Sequence, residues 1–383
     1  MTILNRLEIS GTPRERGIAY GRGLAGLIRE RDAAWRHAIE ARDHMPADAF
    51  IARLLGATDF LPAIERFVPD LLEEVHGIAE GAGLPFDAML AAQLMDEEWW
   101  FSSAIAPEHQ HEHHAHCSTL GSLDRAGGRA VVAQNMDLIG WMDGFQVALT
   151  IRDEATGLDQ IVLTVAGMIG LCGLNSAGLG LGVNTLADLN VSRTGLPVAF
   201  LARGLLARRS HAEAVAFLAS APHASGQSYI LADRGEISCH EGSAAGVARY
   251  QPANGPADTV WHTNHALAST DWHLTADGHH VEAAVALGEN SRCRMEALDR
   301  RLAAAQRPLD VATAATVLAD RSDGRHPVSR RASGHAAAGF TFASVIWELD
   351  ETPSAHMAPG APCTRAYEPV ALPAATAHRR AAE

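Results

Sequence analysis

Four short stretches carry residue types able to do chemistry. Cys117-Ser118-Thr119 places a thiol directly after a polar run, and Gln134-Asn135-Met136-Asp137 offers a carboxylate beside two amides. Asn264-His265 supplies another amide, and Ser291 stands three residues before Arg294. A thiol, a carboxylate and amide N–H donors are the set that acyl transfer needs: a nucleophile, charge control, and stabilisation of a tetrahedral oxyanion. A fifth stretch holds His109, His111, His113, His114 and His116. Alternate histidines of an extended segment point the same way and could face one metal ion. With no matching ligands at fixed spacing elsewhere, the run reads instead as a solvated linker, and no metal is expected.

Other chemistry is excluded by what the chain lacks. All 31 basic residues are arginine, so Schiff-base, P-loop and Ser–Lys mechanisms have no lysine to use. Cys172, Cys239, Cys293 and Cys363 are widely spaced and contain no CxxC pair; they read as packed or surface thiols rather than a disulfide framework or zinc ribbon. The glycine-rich run GLNSAGLGLG at 173–182 has strand-like alternation on both sides and no following lysine, which makes it a tight hairpin rather than a phosphate loop.

The elements that must hold these residues are of two kinds. Residues 12 to about 98 have helical periodicity, in the segments Arg14–Arg42, Leu61–Ala82 and Pro85–Trp100. From Cys117 onward the texture changes to short Val-, Leu- and Ile-rich runs bounded by Gly, Asp and Asn: Arg129–Leu138, Gln146–Arg152, Gln160–Ala166, Gly178–Leu186, Tyr229–Ala232 and Ala343–Leu349. Two helical pairs interrupt them, Pro197–Arg209 with His211–Ala221 and Ser291–Ala305 with Leu309–Arg321. This order predicts an α+β protein with helices layered on antiparallel sheets. The stretch Ser322–Gly339 reads as a surface loop, a candidate cover for a site. At 383 residues and 47% hydrophobic content the chain can bury a large core without disulfides. The formal charge of -14 disfavours nucleic acid and anionic membranes as partners. No run reaches the roughly 18 apolar residues of a membrane span. With no signal peptide at the start, the expectation is a soluble cytoplasmic protein.

In order along the chain, Gly11–Gly21, Cys117-Ser118-Thr119, the QNMD strand, the glycine-rich hairpin, Thr263-Asn264-His265, Ser291-x-x-Arg294, Thr341–Asp350 and the segment from Gly360 to Cys363 resemble the acyl-CoA:6-aminopenicillanate acyltransferase family. This is peptidase family C45 of the N-terminal-nucleophile (Ntn) hydrolases. The resemblance spans nearly the whole chain. It implies an Ntn-type four-layer αββα sandwich with an N-terminal helical segment, and a precursor that cuts itself between His116 and Cys117. Residues 1–116 would become a helical chain and 117–383 the catalytic chain, held together as one structural domain and a heterodimer. It also implies Cys117 as nucleophile, its freed α-amine as base, Asn264 as oxyanion donor and Asp137 as partner of the α-ammonium or of the cleaving bond. Asn135 and Ser291 would shape the site or aid self-cleavage, and Arg294 would pair with Asp137 or with a substrate carboxylate. An α-amine titrates near pH 8 and a thiol near 8.5, so nucleophile and base in one residue need no cofactor at neutral pH. The chain departs from the family in having His116 where glycine is common and Met136 where an aromatic residue is common.

The expected reaction is acyl transfer through a Cys117 thioester, most simply hydrolysis of the amide of a small N-acyl compound or short peptide. Three alternatives stand beside it: acyl-CoA-dependent N-acyl transfer, metal-dependent hydrolysis by the histidine run, and an uncut binding protein of the same fold. Whether the molecule self-associates stays open.

Overall fold

A computed structural model of the chain describes residues 3–105, 117–253, 255–273 and 283–373. The chain begins with β1 (Asn5–Ser10), followed by α1 (Pro13–Gly23), α2 (Ala25–Asp43), α3 (Ala47–Gly56), α4 (Leu61–Phe67), α5 (Pro69–Ala82), α6 (Phe86–Ala91) and α7 (Met95–Ile105). Pro69 opens α5 and divides a segment whose apolar period is continuous, because proline has no N–H to extend α4. β1 is a strand that lies ahead of the helical stretch expected from residue 12 and is not itself among the expected elements. Leu7 and Ile9 alternate with Arg6 and Glu8, a pattern too short to stand out in the sequence.

After Cys117 come β2 (Ser118–Asp124), β3 (Arg129–Ile139), β4 (Gln146–Arg152), β5 (Gln160–Val165), β6 (Cys172–Asn175) and β7 (Gly180–Thr185). Helices α8 (Val198–Leu206) and α9 (His211–Ser220) precede β8 (Gln227–Ala232), β9 (Ile237–Ser243), β10 (Gly246–Tyr250) and β11 (Thr259–His262). The chain closes with α10 (Ala283–Ala304), α11 (Val311–Leu318), β12 (Gly339–Leu349), β13 (Ser354–Ala358) and β14 (Glu368–Ala371).

Two sheets form, one of eight strands in the order β1-β4-β5-β6-β7-β8-β9-β10 and one of six in the order β11-β2-β3-β12-β13-β14. The pairing is antiparallel throughout except between β1 and β4. Helices α8 and α9 cover the larger sheet, α10 and α11 the smaller, and the two sheets face each other in an αββα sandwich. Period-2 alternation along β3 shows how both faces of the smaller sheet are buried. Val131 and Ala133 join the apolar cluster under α10 and α11, whereas Ala130, Val132 and Met136 join the cluster between the sheets. Polar side chains also clamp the sheets together. Gln134 donates to the carbonyl and accepts from the N–H of Val183, and Trp347 Nε1 donates to the Leu181 carbonyl at 3.1 Å.

The helical segment is tied to the sandwich by three devices. β1 adds an edge strand to β4. Helices α1 and α5 cross with their backbones almost touching: a Cβ on Gly17 would meet the Glu74 carbonyl at 2.1 Å, and one on Gly77 the Arg14 carbonyl at 2.3 Å. Only glycine allows that approach. Fully buried Glu74 on α5 then accepts from Arg203 of α8 at 2.8 and 3.2 Å. These contacts fix where α7 lies against the part of the chain that follows Cys117. Among the described residues no helix is long and apolar enough to cross a membrane.

Candidate active site

Cys117 directly precedes β2, an interior strand of the six-stranded sheet, and it is 4% exposed. Ser118 pairs with Asn135 across β3, so the sulfur comes down beside the end of the QNMD segment. Asp137 lies on the same strand, opposite Thr341, where β12 carries a bulge between Thr341 and Ala343. Bulges beside a site end regular pairing and redirect side chains.

Arg294 joins the dispersed motifs. It is fully buried on α10 and donates from Nη1 to the Cys117 carbonyl at 2.5 Å and to Ser118 Oγ at 3.0 Å. From Nη2 it donates to Asn264 Oδ1 at 2.9 Å, and from Nε to Asn290 Oδ1 at 2.8 Å. The expected direct pair between Arg294 and Asp137 does not form. The guanidinium binds neutral acceptors, and its charge acts on the carboxylate only through space. Asn264 donates from Nδ2 to the Thr185 carbonyl at 3.0 Å, leaving the second hydrogen of that amide nitrogen for a ligand oxygen.

Ser291 and Asn135 do different jobs from each other. Ser291 Oγ accepts the Asn264 backbone N–H at 2.7 Å, donates to Thr263 Oγ1 at 2.8 Å and meets His265 Nδ1 at 2.7 Å, so it positions Asn264. Asn135 spends both amide hydrogens on the carbonyls of Leu318 and Val328, at 2.8 and 2.9 Å, and accepts from Ser344. That staples β3 to α11 and to the loop after it. The loop itself is better anchored than a simple surface cover: Val328 and Ser329 are buried, and Arg330 reaches Asp137 electrostatically.

Burial dominates the electrostatics. It pushes the Cys117 thiol up to about 12, with the Asp137 charge adding to the rise and the Asp137 backbone N–H and Arg294 opposing it. Desolvation lifts Asp137 to about 6 against the pull of Arg330, Arg294 and Thr341. By distance and angle neither carboxylate oxygen of Asp137 is fully hydrogen-bonded among the described residues; the Thr341 hydroxyl comes near enough only to lower its pKa. A carboxyl raised in the fold favours folding below its unfolded pKa of about 3.9 and loses that contribution as pH rises through the folded value. In a Cys117→Ala chain, Asp137 should therefore contribute a fall of roughly 3 kcal/mol in stability between pH 4 and pH 7, and Asp137→Asn should remove that part of the slope while the part due to Asp96 and Glu97 stays. Thermal melts across that range check it.

Several participants carried no sequence signal. Glu241 on β9 accepts from His262 Nε2 at 2.8 Å and from the backbone N–H groups of Leu267, Ala268 and Ser269, which fixes the loop that follows Asn264. Burial acts to raise its pKa, but these donors bring it below the usual carboxylate value. Asp96 and Glu97 of α7 are buried as well, and the Asp96 charge reaches the Cys117 thiol. The 290/294 pair was legible in part, since an i,i+4 spacing puts Asn290 and Arg294 on one helix face. Among the described residues no group of three or more His, Cys, Asp or Glu has the geometry of a metal site. The histidine run from His109 to His116, and with it the first residue of the expected scissile bond, lies outside the described residues.

Among curated proteins none matches the chain. Among solved structures, a mutant of the conjugated bile acid hydrolase from Clostridium perfringens is 13% identical, with 67% of this chain and 92% of that one covered and a TM-score of 0.43. Penicillin V acylase from Agrobacterium tumefaciens is 12% identical, with 63% and 83% covered and a TM-score of 0.31. The family model described as acyl-coenzyme A:6-aminopenicillanic acid acyl-transferase matches residues 124–357, a span that holds Asp137, Asn264, Ser291 and Arg294 and begins seven positions after Cys117. With more than half of its length matched and those four residues gathered around one buried thiol, the chain belongs to the acyl-coenzyme A:6-aminopenicillanic acid acyl-transferase family.

Proposed function

We propose that the protein is a self-activating cysteine amidohydrolase whose nucleophile is Cys117. The observation that carries this reading is the buried Asp137 carboxylate beside the thiol, which among the described residues has no ion pair and only the nearby Thr341 hydroxyl as a donor. A buried anion without a counter-ion is costly, and the α-ammonium released by cleavage before Cys117 is a cation that would arrive beside it. In the uncut chain the thiol attacks the carbonyl of residue 116, the amide nitrogen leaves as the amine of Cys117, and water hydrolyses the resulting thioester. Arg294, bonded to the Cys117 carbonyl, holds the backbone on the product side of that bond.

In turnover the α-amine takes the thiol proton as sulfur attacks the substrate amide. Asn264 donates to the tetrahedral oxygen, the leaving amine takes the proton, and water completes hydrolysis of the acyl-thioester. Water is the default acceptor at such a site, and a small N-acyl compound or short peptide is the substrate class. The two fragments remain together through the β1–β4 pairing and the buried Glu74–Arg203 pair, since separating them would leave Arg203 without its carboxylate.

Intact-mass measurement tests this reading. The wild-type protein should give fragments 1–116 and 117–383 that co-elute under native conditions, and Cys117→Ala should stay whole. A wild-type chain that stays whole while hydrolysing amides would sink the self-activation step.

A further inference from the structure

Helix α7 carries three consecutive acids into the interior. Glu98 is paired with Arg42, but Asp96 and Glu97, 7% and 5% exposed, have no cation within ion-pair distance among the described residues. Their contacts are neutral donors. Asp96 Oδ2 accepts from Thr185 Oγ1 at 2.8 Å and from Gln227 Nε2, while Glu97 Oε1 accepts from Ser225 Oγ at 2.7 Å and the Val198 N–H at 3.1 Å. The Gln227 amide sits between the two acids, with Nε2 also 3.3 Å from Ser225 Oγ. That side chain is 1% exposed and its Oε1 has no partner; Glu97 Oε2 has none either. A carboxylate oxygen and an amide oxygen, both acceptors, are thus buried unsatisfied in one cluster, where burial without a partner is costly.

The cluster adjoins the candidate nucleophile by a continuous chain of bonds. Asp96 holds the Thr185 hydroxyl, the Thr185 carbonyl holds the Asn264 amide, and Asn264 shares Arg294 with the Cys117 carbonyl.

We propose that Asp96, Glu97 and the Gln227 amide oxygen form a subsite beside Cys117 that binds a primary ammonium group of the substrate. An ammonium ion brings three N–H donors and one positive charge, and acceptor oxygens are what the cluster leaves open. A hard divalent cation such as Mg²⁺ or Ca²⁺ fits less well, since it takes six or more oxygens and, among the described residues, no third acid or histidine completes a metal cluster here. The present state of the acids agrees. Desolvation and the neighbouring Asp96 charge push Glu97 up to about 7, and Asp96 is raised as well, both conditions that a bound cation would relieve. The inference rests on the reading of Cys117 as nucleophile, and it narrows the substrate to an amide whose acyl part or amine part carries an ammonium group.

Matched substrates test it at pH 7.5. β-Alanyl p-nitroanilide is compared with butanoyl p-nitroanilide, and N-acetyl-1,4-diaminobutane with N-pentylacetamide, so that charge is placed on the acyl side or on the leaving side at constant size. The wild type should favour the charged member of one pair by at least about tenfold in kcat/KM, and the pair that responds names the side. Glu97→Gln and Asp96→Asn should each reduce that ratio by about tenfold or more. Protection of Cys117 from iodoacetamide by n-butylammonium, and not by 1-butanol, supplies a second reading with wild-type protein, useful where a variant fails to fold or no probe is turned over. A ratio near one in both pairs without selective protection overturns the subsite. So do variants that slow both members of a pair equally, which would make the acids packing groups or the counter-ion of the Cys117 α-ammonium. If Cys117→Ala still hydrolyses the probes, the nucleophile reading fails; if it is inactive while the ratio stays near one, only the subsite fails.

Discussion

Cys117→Ala should reduce amide turnover by at least about 10⁴-fold while shifting the melting temperature by no more than about 3 °C. The two outcomes separate because the sulfur does different things in each. In the fold it is one buried atom, and deleting it costs about 1 kcal/mol of packing. In the proposed reaction it makes the covalent bond to the acyl group, and no second nucleophile is placed to replace it: Cys172 is fully buried and its thiol is raised well above the ordinary value. The relevant readouts are steady-state hydrolysis and a thermal melt on the same preparation. A substrate turned over at more than about 1% of the wild-type rate by the alanine variant would assign the chemistry to another group.

Arg294→Met carries the second large effect, in stability as well as in rate. The side chain donates to four neutral oxygens, on Cys117, Ser118, Asn264 and Asn290, and it is the element through which α10 holds Cys117 and the start of β2. Methionine keeps much of the volume but leaves four buried acceptors short of a donor, at about 1 to 3 kcal/mol each before relaxation. A net loss of about 3 to 5 kcal/mol is expected, measurable by denaturant unfolding. Turnover should fall by about 10² to 10³, because Asn264 loses the bond that orients its amide. The pH profile distinguishes this from simple unfolding. Arg294 helps hold Asp137 down to about 6, so removing the positive charge should move an acid limb governed by Asp137 to higher pH. Arg294→Lys should restore part of the charge effect but not the four-way geometry, since an ammonium has three donors and no planar fork. An unshifted acid limb in a folded Arg294→Met variant would show that Asp137 does not control that limb.

Much of the architecture could be read from the residues. The change of texture at Cys117 does coincide with the start of β2, and the strand expected at Gln146–Arg152 has those bounds. The glycine-rich run is the β6–β7 hairpin, because Asn175 and the small residues after it allow a tight reversal. Asp137 was readable as a candidate only through the family resemblance of the QNMD segment; taken locally it reads as a turn former at the end of a strand. Less legible were β1, whose pairing with β4 lies more than a hundred residues away, and the division of the first half into seven helices among the described residues. Arg294 was recognisable as charged, but its partners could not be chosen. A carboxylate was the natural guess, and the fold supplied carbonyl, hydroxyl and amide oxygens instead.

The acids of α7 mark the boundary most clearly. In sequence, Met95–Ile105 is a charged helix following an acidic stretch, and such a run ordinarily faces solvent. Local periodicity can say which residues share a helix face, but not what that face will meet. Here the α1–α5 crossing, made possible by Gly17, Gly21, Gly77 and Gly81, and the Glu74–Arg203 pair set α7 against β7 and β8, turning Asp96 toward Thr185 and Gln227 and Glu97 toward Ser225 and Val198. Sequence by itself determined the class of chemistry, through residue types in a fixed order, and the kinds of element that carry them, through local period and turn residues. Only the tertiary structure decided which polar groups lose their water and beside what, because desolvation and charge proximity arise from contacts between segments that are distant along the chain.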